Sequence, residues 1–386
     1  MSKIPVMRPK LPRAERIAPY LNRIDSAGIY SNFGPLNIAL EERLAAQFGV
    51  KKQMVTTVSN ATQGLTLALA VLGARAGTLC VMPAWTFIAS AHAAIAAGLT
   101  PYFVDADPQT WALDPDAMDK VVAQAPSGVG AVMPVVPFGQ PIDFPAWDRY
   151  RKRSGLPVVI DAAAGFDTAV ACETPVVVSL HATKVIGVGE GGFVLSTDEA
   201  MIQGIRARTN FGFMGSRNSI AASTNAKLSE YHAAVGHASL DEWPGARADW
   251  MAAAARYRSA LPESNRLRYQ RGFGVDWIAS TCLLQFPGFD ADVVEHALDA
   301  AGVETRRWWG QGAHLHRSTT AFPRGVLSET ETLGRSTLSV PFYRGIEPAE
   351  VEKVAHVVRA ALSAAACCRR GRAMADRRAA PSTWSR

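Results

Sequence analysis

Four short stretches carry residues whose types and spacing suit one chemistry. Lys184 stands five residues after Ser179, just ahead of the glycine-rich run 187–192. Asp161 directly follows the apolar run Pro157–Ile160, and Thr62 stands in Ser59-Asn60-Ala61-Thr62, after the β-branched run Val55–Val58. Phe87 ends Pro83-Ala84-Trp85-Thr86-Phe87, after the apolar run Leu79–Met82. A lysine amine forms a Schiff base with an aldehyde. A carboxylate keeps a pyridinium nitrogen protonated. A helix N-terminus with a hydroxyl favours a phosphate, and an aromatic ring stacks on a flat heterocycle. Those are the parts that pyridoxal 5′-phosphate (PLP) needs.

Taken singly, each residue has an ordinary explanation. Asp161 at a strand end caps a helix, Thr62 sits at a helix start, Phe87 is core and Lys184 is a surface charge. Their conjunction along one chain favours the cofactor. Gly187-x-Gly189-x-x-Gly192 also matches the dinucleotide fingerprint as a string. That fingerprint must open a helix, whereas here the strand-like Gly192–Ser196 follows, so the run reads as a turn after the lysine.

These residues need elements to hold them. Strand-like runs at 55–58, 79–82, 101–104, 131–136, 157–160, 175–180 and 192–196 alternate with helical stretches at 61–72, 89–97 and 147–153. Continuous apolar strands separated by helices predict a mainly parallel sheet covered on both faces. Ligands bind beyond the carboxyl ends of such strands. After about Gly245 the pattern changes to helices at 251–261, 291–301 and 348–363, with strands at 283–286 and 337–339. The expected organisation is an arm over 1–30, a large domain over 31–245, a smaller C-terminal α/β domain over 246–365 and a disordered basic tail over 366–386.

Composition narrows the class. The chain has 386 residues, 48% of them hydrophobic and 19% charged, which excludes a disordered chain. Six arginines against one aspartate after residue 368 carry five of the six net positive charges, so the body is nearly neutral. A nucleic-acid partner is not expected. Five scattered cysteines and no C-x-x-C pair argue against a disulfide framework or a structural zinc. His314-x-His316 lacks a third ligand, so no metal is assigned. No signal-like segment and no run of about 18 apolar residues is present, so no membrane partner is expected and the cytoplasm is the expected compartment.

The chain resembles the DegT/DnrJ/StrS family of PLP-dependent sugar aminotransferases. The resemblance spans about residues 8–360 and rests on SNFGPLNIALEERLA (31–45), SNATQGLTLAL (59–69), VVIDAAAGFD (158–167), SLHATKVIGVGEGGF (179–193) and TNAKLSEYHAAVG (224–236). The SxHATK form and the N-terminal RPKLPRAERIAPYLNRI are most similar to the dTDP-4-amino-4,6-dideoxyglucose (viosamine) synthase branch. It implies the type I aminotransferase fold, and transfer of an amino group from L-glutamate to a nucleotide-linked keto-deoxysugar. Lys184 matches the Schiff-base lysine, Asp161 the partner of the pyridine nitrogen and Phe87 the stacking ring. Ala61, Thr62 and Ser179 match phosphate-binding positions. Asn225 matches a residue reaching the neighbouring subunit's phosphate, which implies a homodimer with shared sites. His181, Asn32, Phe33, Lys227 and His316 are substrate candidates, as are Arg306, Trp308 and His314. Ala164 stands where the family usually has Gln or His, Ala61 replaces a glycine, and Lys227 replaces an arginine. Relatives with His in place of the lysine are dehydratases; keeping Lys184 argues for transamination. A PLP enzyme of this fold acting on another ketone or by another reaction, or a catalytically silent relative, are the alternatives.

Overall fold

The computed structural model describes residues 3–379. Its helices are α1 (Ala14–Ala27), α2 (Pro35–Gln47), α3 (Ala61–Val71), α4 (Ile88–Ala96), α5 (Met118–Ala123), α6 (Phe144–Ser154), α7 (Glu199–Thr209), α8 (Glu230–Ala260), α9 (Asp292–Ala300), α10 (Ser328–Ser336) and α11 (Pro348–Ala379). Its strands are β1 (Val55–Val58), β2 (Leu79–Pro83), β3 (Thr100–Val104), β4 (Val129–Val132), β5 (Ile160–Asp161), β6 (Val176–Ser179), β7 (Gly192–Leu195), β8 (Cys282–Gln285) and β9 (Thr337–Val340).

The order β1-β7-β6-β5 joins the order β3-β2-β4 through the parallel bridges Val132↔Val158 and Val135↔Asp161. The result is one layer of seven strands. All run parallel except β7, which is antiparallel to both β1 and β6. The apolar runs are buried on both faces, as the absence of period-2 alternation predicts. Two strands are displaced from their expected limits. Of the run 131–136, β4 is continuous only to Val132; Pro134 offers no N–H to the ladder, and pairing resumes at the Val135↔Asp161 bridge. The run 157–160 forms only β5, shifted onto Asp161.

Helix α3 is held against the sheet by two glycines. A Cβ on Gly64 would lie 2.8 Å from Val177 Cγ1, and one on Gly192 would lie 2.9 Å from both the Ala61 nitrogen and the Val178 carbonyl oxygen. Only a missing side chain lets the first turn of α3 sit this close to β6 and β7. Glu230 secures α2 in a similar position: its buried carboxylate accepts from the Leu36 N–H at 2.8 Å and the Asn37 N–H at 2.7 Å.

Three observations bear on the expected domain limits. The boundary expected at 245/246 falls inside α8, which runs unbroken through Pro244 and Gly245. Pro244 removes one helical N–H, yet Trp243, Ala246 and Trp250 are buried and keep the helix on its track. The residues expected as a disordered tail continue α11 as far as Ala379, consistent with a stretch rich in the helix formers Ala and Arg; 380–386 lie outside the described residues. The arm expected over 1–30 is anchored: Ile4 pairs with Val303, and α1 packs on α8. No helix among the described residues is long and apolar enough to cross a membrane.

Gly192→Ala is expected to cost about 1–3 kcal/mol of stability, because the added methyl meets backbone that cannot yield. Urea unfolding measures this, and an unchanged midpoint would refute the tight-contact reading.

Candidate active site

A cavity of about 410 Å³ opens where the carboxyl ends of β1, β2, β5 and β6 meet the β8–β9 sheet. It brings together ten of the sequence-derived residues: Ala61, Thr62, Phe87, Asp161, Ala164, Ser179, His181, Lys184, Arg306 and Trp308.

Asp161 is 5% exposed and sits at the end of β5. One carboxylate oxygen accepts from Ser90 Oγ at 2.6 Å, the other from the Ala163 N–H at 3.0 Å. Burial pushes its pKa above the ordinary carboxylate value; these two donors and the Lys184 charge pull it back. Lys184 is half-buried by surface area, because it lines the cavity, but protein crowds its ammonium. That crowding holds its pKa below the ordinary lysine value, and Asp161 opposes the shift. Among the described residues, no hydrogen bond or ion pair engages the Lys184 ammonium. A buried carboxylate with lone pairs to spare and an unengaged amine face one cavity.

At the opposite wall Asn60 caps α3, its side chain accepting from the Gln63 N–H at 2.9 Å. The N–H groups of Ala61 and Thr62 lie in the first turn and have no intrahelical acceptor. Ser179, at the end of β6, brings a hydroxyl that accepts from the His181 N–H at 3.2 Å. These donors fit an anion such as a phosphate. Phe87 is 55% exposed, with its ring free to cover a flat ligand. Ala164 presents only a methyl group. The donor set therefore fits PLP: an acceptor for a ring N–H, a primary amine and an anion seat.

Some lining residues escaped sequence reasoning. Thr86 Oγ1 lies 2.8 Å from Ser90 Oγ, extending the chain that ends on Asp161. The signal was the hydroxyl pair four apart at the start of α4. Phe138 stacks on Trp309 at 3.7 Å, and Trp85 meets Trp309 edge-on at 5.3 Å. Phe138 holds φ at 54°, rare for a bulky residue, to place that ring. Met7, Thr183, Glu190, Ser280 and Thr281 complete much of the wall. His181 Nδ1 lies 2.8 Å from Thr183 Oγ1 and 3.2 Å from the Thr183 nitrogen, and its Nε2 lies 3.5 Å from Glu190.

The sequence model of the DegT/DnrJ/EryC1/StrS aminotransferase family matches residues 13–359. The chain belongs to that family. A dTDP-4-amino-4,6-dideoxy-D-glucose transaminase of Shigella dysenteriae is 32% identical over 61% of this chain and 64% of its own length. A GDP-perosamine synthase of Caulobacter vibrioides is 26% identical over 92% of this chain and 97% of its own. The crystal structure of DesI in the presence of its TDP-sugar product superposes with a TM-score of 0.83 at 31% identity, covering 98% of this chain and 96% of that one.

Not every residue carried over from the DegT/DnrJ/EryC1/StrS resemblance reaches this cavity. Asn32 and Phe33 lie outside it, at φ of 61° and 57°, and the Phe33 ring lies 3.7 Å below the Arg206 guanidinium. Asn225 is exposed, and its side-chain oxygen accepts from Lys227 Nζ at 2.7 Å. His316 is exposed and away from the cavity; His314 is buried and lines a separate one. Arg306, Trp308 and Trp309 line the cavity, Trp309 as part of the aromatic wall.

Because the Lys184 pKa is lowered on folding, unfolding takes up a proton. The cofactor-free protein should therefore gain stability as pH rises from neutrality towards 10.5, the ordinary lysine value. Lys184→Met should remove this part of the gain. Urea midpoints at neutral and alkaline pH measure it, and identical pH slopes for the two proteins would contradict a buried, destabilised ammonium.

Proposed function

We propose that this PLP-dependent sugar aminotransferase moves an amino group from L-glutamate to a nucleotide-linked keto-deoxysugar. The acceptor put forward is dTDP-4-keto-6-deoxy-D-glucose. The observation that carries the reading is the Asp161–Lys184 pair facing one cavity opposite the open N-terminus of α3.

PLP, when bound, supplies an electron sink for the charge that develops at the substrate carbon. The chain's own groups do the rest. The N–H groups of Ala61 and Thr62, with the Thr62 and Ser179 hydroxyls, hold the phosphate. Asp161, oriented by Ser90 and the Ala163 N–H, holds the proton on the ring nitrogen. Phe87 covers one ring face. Lys184, with its lowered pKa, is neutral more readily than an exposed lysine, so its amine would take the substrate Cα proton and deliver it, on the same face, to the carbon that was the cofactor's aldehyde. Ala164 offers no polar contact where relatives usually place one, which leaves Asp161 and Lys184 as the polar hold on the ring.

Lys227 Nζ lies 4.8 Å from the centre of the exposed Phe211 ring, and the segment that follows exposes Met214 and Ile220 as well. We infer that this face meets a second copy of the chain, with Asn225 completing the partner's phosphate seat. The 32% identity to a dTDP-4-amino-4,6-dideoxy-D-glucose transaminase supports the dTDP-sugar reading. Synthesis of a cell-surface polysaccharide such as lipopolysaccharide O-antigen, in the cytoplasm, is the context put forward.

With PLP and L-glutamate, the wild type should release 2-oxoglutarate, and then aminate dTDP-4-keto-6-deoxyglucose. Lys184→Ala should fold, as judged by circular dichroism, and show no turnover; steady-state amino transfer by that variant would overturn the role. Retained PLP absorbance without glutamate turnover would instead put the donor or the reaction in error.

A further inference from the structure

Arg306 and Arg307 are neighbours in sequence with opposite circumstances. The Arg307 guanidinium is consumed by structure. It donates to Glu295 at 2.8 Å and to the Gly334 carbonyl at 3.0 Å, and also pairs with Asp292. Arg306 makes no side-chain hydrogen bond or ion pair among the described residues. Its guanidinium instead lies 4.7 Å from the centre of the Trp308 ring. Arg306 and Trp308 both line the cavity that holds Lys184 and Asp161.

The backbone beneath Arg306 is fixed. Its N–H donates to the Ser339 carbonyl at 3.1 Å, and its carbonyl accepts from the Ser339 N–H at 3.0 Å. Ser339 pairs on its other side with Leu283 of β8. The residues just before β8, Ser280 and Thr281, also line the cavity, and neither hydroxyl makes a hydrogen bond among the described residues. An indole face orients a planar guanidinium while leaving its edge donors free. The neighbouring Trp309–Phe138 stack keeps that wall rigid.

The other charges of the cavity lining are Lys184, Asp161 and Glu190. On the function proposed above, on which this step rests, Lys184 and Asp161 are committed to the cofactor, whose phosphate has its own seat at α3. Arg306 is then the uncommitted cation. We propose that Arg306, braced on Trp308 and flanked by the Ser280 and Thr281 hydroxyls, binds the anionic group of the substrate. Two substrates present such a group to this one cavity: the amino donor as a carboxylate, the nucleotide sugar as a diphosphate.

The test is direct binding to PLP-loaded protein, with no turnover required. Tryptophan fluorescence, which Trp308 makes sensitive to this wall, or calorimetry reports titrations with 2-oxoglutarate and, separately, with dTDP. Loss of a charge-assisted contact of this kind corresponds to about 10- to 100-fold in affinity. Arg306→Gln should lose that factor, Arg306→Lys should recover part of it, and bound PLP absorbance and thermal stability should stay unchanged in both. Weakening for 2-oxoglutarate alone assigns the donor carboxylate, for dTDP alone the diphosphate, and for both a shared seat. Equal affinities for wild type and Arg306→Gln, or a wild type that binds neither anion, would overturn the proposal. Failure of the aminotransferase reading itself shows elsewhere, as absence of Lys184-dependent release of 2-oxoglutarate from glutamate.

Discussion

A carboxylate and an amine taken out of water at the end of one sheet set the terms for the rest of this protein. Burial drives the Asp161 and Lys184 pKa values towards each other, and each charge opposes the other's shift. Such a pair is costly unless something organises it. Ser90 and the Ala163 N–H satisfy part of Asp161, and Thr86 steadies Ser90. No protein group among the described residues hydrogen-bonds the Lys184 ammonium. The remaining capacity of both groups points into the cavity, where a cationic ring nitrogen and an aldehyde complement them.

The anion seat depends on a second constraint, which is steric. The first turn of α3 reaches the cavity only because Gly192 and Gly64 let it lie directly on β6 and β7. The same closeness dictates why the glycine-rich run after Lys184 does not behave as a dinucleotide loop. Gly192 opens a strand, antiparallel to its neighbours, and its missing side chain makes room for a helix that starts elsewhere in the sequence.

The third wall comes from the chain's C-terminal part and differs in character. It is aromatic and braced, with Trp309 between Phe138 and Trp85, and Trp308 carrying Arg306. The tandem arginines divide the work between architecture and recognition. Arg307 ties α9 to the end of α10, while Arg306 stays free to meet a ligand.

By itself, the sequence determined the local elements and the residues at their ends. An apolar strand followed by a polar residue is a short-range pattern. Lys184, Asp161, Thr62, Ser179 and Phe87 were therefore legible, as was the largely parallel sheet. What tertiary structure alone decided involves groups far apart in the chain. Ser90 is one polar residue in an alanine-rich stretch, and only folding sets it against Asp161, 71 positions away. Phe138 and Trp309 become one stack only when the β8–β9 sheet closes on the larger one. The change of pattern after about Gly245 suggested a domain boundary, and the burial of Trp243 and Trp250 kept α8 whole. Arg306 and Arg307 are indistinguishable as letters. Only the acids packed around one, and the indole beneath the other, separate a structural cation from a free one, because charge is neutralised by neighbours in space and not by neighbours in sequence.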